Sequence, residues 1–174
     1  RYRRLGIEGA NPLNAITDVQ GVRVGHATVV RDPSPDDGAG AVRTGVTAVF
    51  PHEGLPWIER VYAGTHVLNG FGEMIGTNQI AEWGLLHSPI VLTSSLSIGR
   101  AYDATVRWRT ERHRTTTHEG GDMPVVAECD DSFLNDCRRM HVTYDDVVAA
   151  RAAALASCAS PSAPDEGAVG AGTG

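Results

Sequence analysis

The sequence predicts a single α/β domain in which strands alternate with helices. Short apolar runs, alternating or continuous, are typical of strands, and they are separated by segments with helical periodicity. The length of 174 residues suits one domain, residues 1–174, with one core. Because strands and helices alternate, we expect layers of sheet and helix, and the pattern leaves parallel and antiparallel strand order open.

The first third of the chain is rich in predicted strands. A turn is expected at 18–21, and the alternation over 22–30 is typical of a half-buried strand. A loop rich in Pro, Asp and Gly is predicted at 31–45, before a second alternating run at 46–51. The two runs are therefore expected to be neighbouring strands or a hairpin.

The next segments predict two helices with a strand between them. Residues 64–84 begin as a glycine-rich loop and turn helical at Thr77, with Ile80, Trp83 and Leu85 available to face a core. A buried strand is predicted at 90–93, and Ser97 is the expected N-cap of the helix that follows. The core-facing side of that second helix is predicted to carry Ile98, Ala101, Thr105 and Trp108.

The last third predicts one more buried strand, at 124–128, and the most strongly helical segment of the chain. Thr143 and Asp146 have the spacing of a capping box at the start of this helix. Its apolar side is predicted to carry Val147, Ala150, Ala154, Leu155 and Cys158.

Charge and composition exclude several classes of function. The net charge is −6 and the basic residues are scattered arginines, which argues against nucleic-acid binding. No apolar run approaches the roughly 20 residues that span a bilayer, so we expect no membrane segment. Three widely spaced cysteines indicate neither a disulfide framework nor a metal motif. A cytoplasmic protein is expected, since the basic start of the chain lacks the apolar stretch of a secretory signal.

Familiar catalytic motifs are missing from the sequence. None of the seven histidines lies in a hydrolase or zinc-protease frame, and no phosphate-binding loop occurs. His113 and His118 are expected to be solvated, and His26 to be packed or hydrogen-bonded. Glu128, Asp130 and Asp131 could ligate a metal, but adjacent acids favour a solvated turn or helix start. We therefore expect neither a metal nor a cofactor.

Six blocks of the chain carry a resemblance to one family. They are NAITDVQGVRVGH, RTGVTAVFP, LNGFGEMIGTNQI, SPIVLTSSLSIG, PVVAECDDSFLND and EGAVGAGTG. The same blocks in the same order are typical of the aminopeptidases that include L-aminopeptidase D-Ala-esterase/amidase and the bacterial β-peptidyl aminopeptidases. The resemblance runs from about residue 11 to residue 174, virtually the whole chain.

The resemblance implies an αββα sandwich and a precursor that cuts itself into a larger α chain and a smaller β chain. The chain then resembles most of an α subunit, whose partner β chain would complete the fold and begin with the catalytic Ser or Thr. The free α-amino group of that residue, with a pKa of about 8, can act as the general base without a histidine. Homo-oligomers of αβ units and short peptide, amide or ester substrates with a free amine are also implied.

Three residues match positions that have roles in the family. Asn135 matches an asparagine that donates to the oxyanion, and Glu73 matches an acid that pairs with the free amino group of the substrate. Ile75 would help to shape the pocket for the substrate's N-terminal side chain. From residue type alone, a capping Asn135 and a solvated Glu73 remain open alternatives.

Two other functions are weighed against the aminopeptidase. One is an acyl transferase resembling ornithine acetyltransferase, and the other is a non-enzymatic module whose glycine-rich loops hold a small ligand. Ser94, Ala168 and Ala171 depart from the family blocks by small substitutions, and the resemblance therefore leaves the detailed polarity of the pocket open. A choice among L-, D- and β-amino acid substrates depends on about 1–3 kcal/mol of pocket shape, which the sequence does not fix.

Overall fold

The residues that the structure describes form seven strands and three α-helices. The computed structural model describes residues 13, 15–36, 38–112, 121–157 and 163–174. The strands are β1 (Arg23–Arg31), β2 (Val42–Phe50), β3 (Val61–Tyr62), β4 (Met74–Ile75), β5 (Leu85–Leu86), β6 (Ile90–Ser94) and β7 (Val125–Cys129). The helices are α1 (Thr77–Trp83), α2 (Ile98–Arg112) and α3 (Tyr144–Ala156).

Five strands form a mixed sheet in the order β1-β2-β6-β7-β4, and β3 pairs with β5 in a separate ribbon. β6 and β7 run parallel because α2 crosses over between them, whereas the other pairs of the main sheet are antiparallel. β1 and β2 pair from Arg23 opposite Phe50 to Arg31 opposite Val42, which confirms the predicted pair of neighbouring strands.

β2 begins at Val42, inside the segment predicted as a loop. Gly45, the last residue of that segment, lies within the strand, and a side chain there would collide with the backbone of Ala27 and of Gly170. A glycine inside a strand marks such a close approach of backbones. The loop prediction was therefore wrong at its C-terminal end.

One face of the sheet is covered by α2 and α3. Buried residues of β2 pack there against both helices, and Trp108 of α2 lies at the centre, with its ring centroid 5.7 Å from Phe50 and 4.6 Å from Trp57. Helix α3 approaches β1 closely, since a Cβ at Gly25 would overlap the backbone of Ala154. The helix-side core is thus held by large rings at one end and by a glycine contact at the other.

The opposite face carries smaller elements. Val125 and Val126 are consecutive in β7 and point to opposite faces. Val126 belongs to the helix-side core, whereas Val125 packs with Ile80 of α1 and Leu86 of β5. A 3-10 turn at Gly170–Gly172 lies against β1, β2 and β6. This face supports the candidate site.

Predicted helix ends were partly right. The capping box at the start of α3 is confirmed: Thr143 accepts from the backbone of Asp146, and the Asp146 carboxylate accepts from the backbone of Thr143. Val147, Ala150 and Ala154 are buried as predicted, while Cys158 lies outside the described residues. None of the helices in the described ranges has both the length and the apolar character needed to cross a membrane.

The structure corrects one sequence prediction for α2 and one for α1. Ser97 does not cap α2, because it closes a 3-10 turn, Ser95–Ser97, that leads directly into the helix, and its buried hydroxyl has no hydrogen-bond partner among the described residues. Of the residues expected to face a core near α1, only Ile80 is buried. Trp83 is 41 % exposed at the helix end, and Leu85 lies in β5 beyond the Gly84 cap.

Candidate active site

The candidate site lies where β6 and β7 end and β2 begins. Ser94 and Cys129 are the last residues of the two parallel strands and lie opposite each other. Because β2 is antiparallel to β6, its first residues lie at the same edge of the sheet. Segments that follow parallel strands converge at their carboxyl ends, so this edge gathers polar side chains from distant parts of the sequence.

Asp131 is a buried acid at this edge, with 2 % of its surface exposed. Its carboxylate accepts hydrogen bonds from the hydroxyl of Thr44 at 2.5 Å and from the hydroxyl of Ser94 at 2.9 Å. A buried carboxylate is tolerated only when it is hydrogen-bonded. The prediction of a solvated acidic turn therefore holds for the exposed Asp130 and is wrong for Asp131.

Asn135 is fixed by the same turn. Its backbone nitrogen donates to the Asp131 carbonyl at 2.9 Å, and its side-chain oxygen accepts from the backbone nitrogen of Arg43 at 3.1 Å. Asn135 is 7 % exposed, and its side-chain nitrogen has no hydrogen-bond partner in the described part of the chain. The amide is thus oriented through its oxygen, and its two N–H groups remain available.

The glycine-rich block at the end of the chain lies along β1 and β2. The backbone nitrogens of Gly170 and Ala171 donate to the hydroxyls of Thr28 and Thr47, at 2.8 and 3.1 Å. His26 confirms its predicted hydrogen-bonded role, since its Nδ1 lies 2.9 Å from the Thr47 hydroxyl oxygen.

Gly174 reaches the turn that holds Asn135. A Cβ at this position would overlap the carbonyl of Arg43 and the Cβ of Asp131. The glycine block and the Asp131–Asn135 turn therefore meet at the same edge of the sheet.

Glu73 lies at a cavity of about 560 Å³ on the face of the sheet opposite α2 and α3. The cavity is lined by the segment 63–74 and by five residues that form its floor: Thr77, Ile80, Leu86, Ile90 and Val125. Glu73 is exposed, and no described residue forms a hydrogen bond or ion pair with its carboxylate. Met74 lines the cavity, whereas Ile75 is not among its lining residues.

Glu128 holds the backbone beside Glu73. One carboxylate oxygen accepts from the backbone nitrogens of Gly72 and Glu73, each at 2.8 Å. Hydrogen bonds from the Ser95 hydroxyl and from the backbone of Glu73 and Gly72 lower the pKa of Glu128. Gly72 has φ of +92°, a conformation that glycine adopts without strain. Glu128 therefore stays ionised and uses its charge to fix this loop.

A second cavity, of about 470 Å³, lies on the other side of the glycine-rich loop. Residues 70–72 line both cavities, and Glu128 and Ser95 line the second one. Asn135 is not among the described residues that line either cavity. The structure thus brings Asn135 together with Asp131, and Glu73 together with Glu128, as two adjoining parts of one edge.

Cysteine chemistry is not favoured at this edge. Burial raises the pKa of the Cys129 thiol, and the nearby carboxylates of Asp131 and Glu128 raise it further. A thiol in such surroundings is a weak nucleophile. Among the described residues, no three His, Cys, Asp or Glu side chains are grouped to hold a metal. His113 and His118 lie outside the described residues.

Sequence reasoning missed the roles of Asp131 and Glu128. The sequence pattern at these positions indicates only possible metal ligands or solvated acids. A usable signal was the presence of hydroxyl residues, Thr44 and Ser94 among them, in strands β2 and β6, since a buried hydroxyl needs a partner. The partner itself, Asp131, follows a different strand, so only the fold identifies it.

Comparisons with known proteins agree with this arrangement. Residues 14–174 match the model of peptidase family S58. The chain is 40% identical over 178 residues to the β-peptidyl aminopeptidase BapA of Sphingosinicella xenopeptidilytica, covering 100% of this chain and 43% of that protein.

Two solved structures are also similar to this chain, in both sequence and fold. A β-aminopeptidase from Burkholderia sp. is 42% identical, with a TM-score of 0.80 over 93% of this chain and 43% of that one. The L-aminopeptidase D-Ala-esterase/amidase of Ochrobactrum anthropi, described as a variant of the Ntn hydrolase fold, is 39% identical, with a TM-score of 0.78 over 92% of this chain and 44% of that one.

These likenesses bear on both the fold and the family. They confirm the predicted mixed α/β sandwich, and the chain spans less than half the length of each relative. The match to the family model and the 40% identity across the whole chain establish that the chain belongs to peptidase family S58.

Proposed function

We propose that the chain is the α part of a serine-type aminopeptidase that releases the N-terminal residue of short peptides, amides or esters. The observation that carries the proposal is membership of family S58 over nearly the whole chain. A Ser or Thr at the start of a second chain, made by self-cleavage of a common precursor, would be the nucleophile. Its hydroxyl attacks the substrate carbonyl and its own α-amino group takes the proton.

Glu73 is proposed to bind the free amino group of the substrate. The support is geometric: the carboxylate is exposed at a cavity and lacks a partner among the described residues, while its backbone is held by Glu128. An ammonium group would supply the missing partner, and a blocked amine would not. Ile75 remains a proposed part of the pocket for the side chain, although Met74 is the neighbour that lines the cavity.

Asn135 is proposed to donate a hydrogen bond to the oxyanion of the tetrahedral intermediate. Its support is the fixed amide, which is held through its oxygen by Arg43 and leaves its nitrogen without a partner in the described ranges. A preorganised neutral donor of this kind stabilises developing negative charge. When the intermediate collapses, the leaving amine takes the proton from the α-amino group, and water then hydrolyses the acyl-enzyme.

The assembly and the location of the protein belong to the same proposal. A β chain cut from the precursor would complete the sandwich, αβ units would form a homo-oligomer, and the protein would act in the cytoplasm. Among the described strands, β1 lies at one edge of the main sheet, which is compatible with pairing by a strand of the β chain.

Hydrolysis of an aminoacyl p-nitroanilide by the full-length gene product tests the proposed function. We expect release of p-nitroaniline from the free-amine substrate and at least about 100-fold less from its N-acetylated form, since blocking a required charged contact has a large effect. Acetyl transfer from N-acetylornithine to glutamate, without hydrolysis, would overturn the proposal in favour of an acyl transferase. Binding of a small amine without either reaction would indicate a binding module.

A further inference from the structure

The turn that carries Asn135 is attached to two strands through one buried acid. The Oδ2 atom of Asp131 accepts from the hydroxyl of Thr44, near the start of β2, and its Oδ1 atom accepts from the hydroxyl of Ser94, the last residue of β6. Both hydroxyl residues are buried, as Asp131 is. The acid therefore joins the beginning of β2 and the end of β6 to the turn that follows β7.

Asn135 belongs to the same turn and contacts the same strand. The backbone nitrogens of Leu134 and Asn135 donate to the Asp131 carbonyl at 3.2 and 2.9 Å. The side-chain oxygen of Asn135 accepts from the backbone nitrogen of Arg43, the residue before Thr44. Two consecutive residues of β2 are thus bound by two residues of one turn. The orientation of the Asn135 amide depends on where this turn lies on β2, and the Asp131 carboxylate sets that position.

A second attachment holds the end of the turn. The backbone nitrogen of Asp136 donates to the Ala41 carbonyl at 2.8 Å, and the Asp136 carboxylate accepts from the backbone nitrogen of Gly40 at 3.3 Å. This attachment does not involve Asp131. We therefore expect a conservative variant of Asp131 to keep the turn on the sheet and to alter mainly the orientation of Asn135.

A carboxylate suits this position because both neighbouring hydroxyls donate to it. Its two oxygens only accept, so the hydroxyl protons of Thr44 and Ser94 can both point at Asp131. Asparagine would offer one accepting oxygen and one donating nitrogen, and one of the two hydroxyls would have to turn round. A buried network in which each hydroxyl and each carboxylate oxygen is paired makes the attached segments rigid.

We propose that Asp131 is a positioning residue for the oxyanion donor, and that it acts on the reaction through Asn135 by fixing the turn against β2 and β6. The inference rests on the proposed function, because it gives Asp131 a task in the same site. A donor that is held in place before the substrate binds needs no reorganisation during the reaction. A displacement of about 1 Å in such a group can reduce the rate about 10²-fold.

Steady-state kinetics of the full-length gene product on leucyl p-nitroanilide tests the inference. Asp131→Asn keeps the size of the side chain and should lower kcat about 10–100-fold. KM should stay nearly unchanged, because the proposed amine-binding acid, Glu73, lies in the other part of the site. Thr44→Val removes one of the two hydroxyl donors and should lower kcat less, about 3–10-fold. A folded Asp131→Asn variant with near-normal kcat overturns the inference.

A double variant separates action through Asn135 from an independent effect. If Asp131 works through Asn135, Asp131→Asn should reduce kcat less than about 3-fold further in a protein that already carries Asn135→Asp. Losses that multiply in the double variant would show that Asp131 acts on its own, and the inference would be wrong.

Asp122→Asn is the matched control, because it makes the same chemical change at another buried carboxylate. Asp122 pairs with Arg60 and Arg109, at 3.6 and 3.0 Å, rather than with the turn that carries Asn135. The control should lower the free energy of unfolding and leave kcat near the wild-type value. If Asp122→Asn and Asp131→Asn lower kcat alike, the loss reflects stability and the inference fails.

A crystal structure of the Asp131→Asn variant separates the inference from the proposed hydrolysis. We expect the distance between the Asn135 side-chain oxygen and the Arg43 backbone nitrogen, which is 3.1 Å in the wild type, to exceed about 3.5 Å. If the wild type cleaves no aminoacyl p-nitroanilide but this bond is lost in the variant, the proposed hydrolysis fails and the control of Asn135 by Asp131 stands. An Asn135 amide that keeps its wild-type position in the variant overturns the inference.

Discussion

The backbone of Glu73 is bonded on both sides to Glu128. The Glu128 carboxylate accepts from the backbone nitrogen of Glu73 at 2.8 Å, and the backbone nitrogen of Glu128 donates to the Glu73 carbonyl at 2.9 Å. The Glu128 carboxylate thus accepts from backbone donors, whereas the Glu73 carboxylate has no partner among the described residues. These two neighbouring acids, one in β7 and one in the loop before β4, therefore have different environments and different proposed tasks.

Glu73→Gln should weaken binding of substrates with a free amine. Removing the charge leaves the ammonium group without its partner, so we expect KM to rise about 10–100-fold with a smaller change in kcat. Steady-state kinetics on leucyl p-nitroanilide measures this effect. Glu82→Gln, an exposed change on α1, is the control and should leave both constants unaltered.

Glu128→Gln should raise KM less than Glu73→Gln does, because the glutamine amide oxygen can still accept from the backbone nitrogens of Gly72 and Glu73. Glu128→Ala removes the acceptor and should release the loop. We therefore expect KM for free-amine substrates to rise more in Glu128→Ala than in Glu128→Gln. If Glu128→Gln abolishes amine binding while Glu73→Gln does not, Glu128 is the partner of the substrate and the assignment of Glu73 is wrong.

Asn135→Asp tests the proposed oxyanion donor. The substitution keeps an oxygen for the backbone nitrogen of Arg43 and removes the amide N–H groups. We expect kcat to fall about 10²–10³-fold, the usual effect of losing one oxyanion donor. Circular dichroism and thermal unfolding check that the variant is folded.

Asn78→Asp makes the same chemical change at an exposed position of α1 and serves as the control for Asn135→Asp. A folded Asn135→Asp variant with near-normal kcat would show that Asn135 only holds the start of β2.

The contact of α3 with β1 depends on Gly25. A Cβ there would overlap the backbone of Ala150, Ala153 and Ala154, so Gly25→Ala should destabilise the protein by about 3 kcal/mol. Gly99 in α2 has open space around it, and Gly99→Ala should stabilise by about 0.5–1 kcal/mol. Urea unfolding of both variants measures the difference, and equal stabilities would contradict the packing.

The burial of His87 should make the folded protein less stable on mild acidification. It is 2 % exposed, and burial lowers its pKa below 6.5, with Arg60 and Arg109 acting in the same direction and Asp122 against them. The unfolded state therefore binds a proton more readily, so stability is complete above pH 6.5 and falls as the pH drops towards the folded pKa.

Urea unfolding of the wild type between pH 7 and pH 5 should show this decline, with a slope of up to about 1.4 kcal/mol per pH unit. His87→Gln should flatten the slope, whereas His66→Gln, at an exposed site, should preserve it. A slope unchanged by His87→Gln would assign the pH dependence to other groups.

Local signals predicted much of the secondary structure. The alternation in β1 and β2, the run in β6 and the Thr143–Asp146 capping box depend on neighbours in sequence, and the structure confirms them. The failures involve distant contacts. The predicted loop extended to Gly45, whose close contact is with the backbone of Gly170, far along the chain. Ser97 was expected to cap α2 but lies inside the 3-10 turn that leads into the helix.

The candidate site was predictable only through the family resemblance. Residue type alone left Asn135 and Glu73 as ordinary turn and loop residues. Asp131 is buried because hydroxyls from β2 and β6 reach it, and Glu128 matters because the backbone of a separate loop reaches it. Contacts between segments that are far apart in sequence set both environments, and no local sequence pattern encodes them.

In the proposed enzyme, the reactive residue lies at the start of a second chain cut from the same precursor. Intact mass and N-terminal sequencing of the purified, active full-length gene product test this division. We expect two polypeptides, the second beginning with Ser or Thr. A single uncut polypeptide that hydrolyses aminoacyl p-nitroanilides at full rate would contradict it.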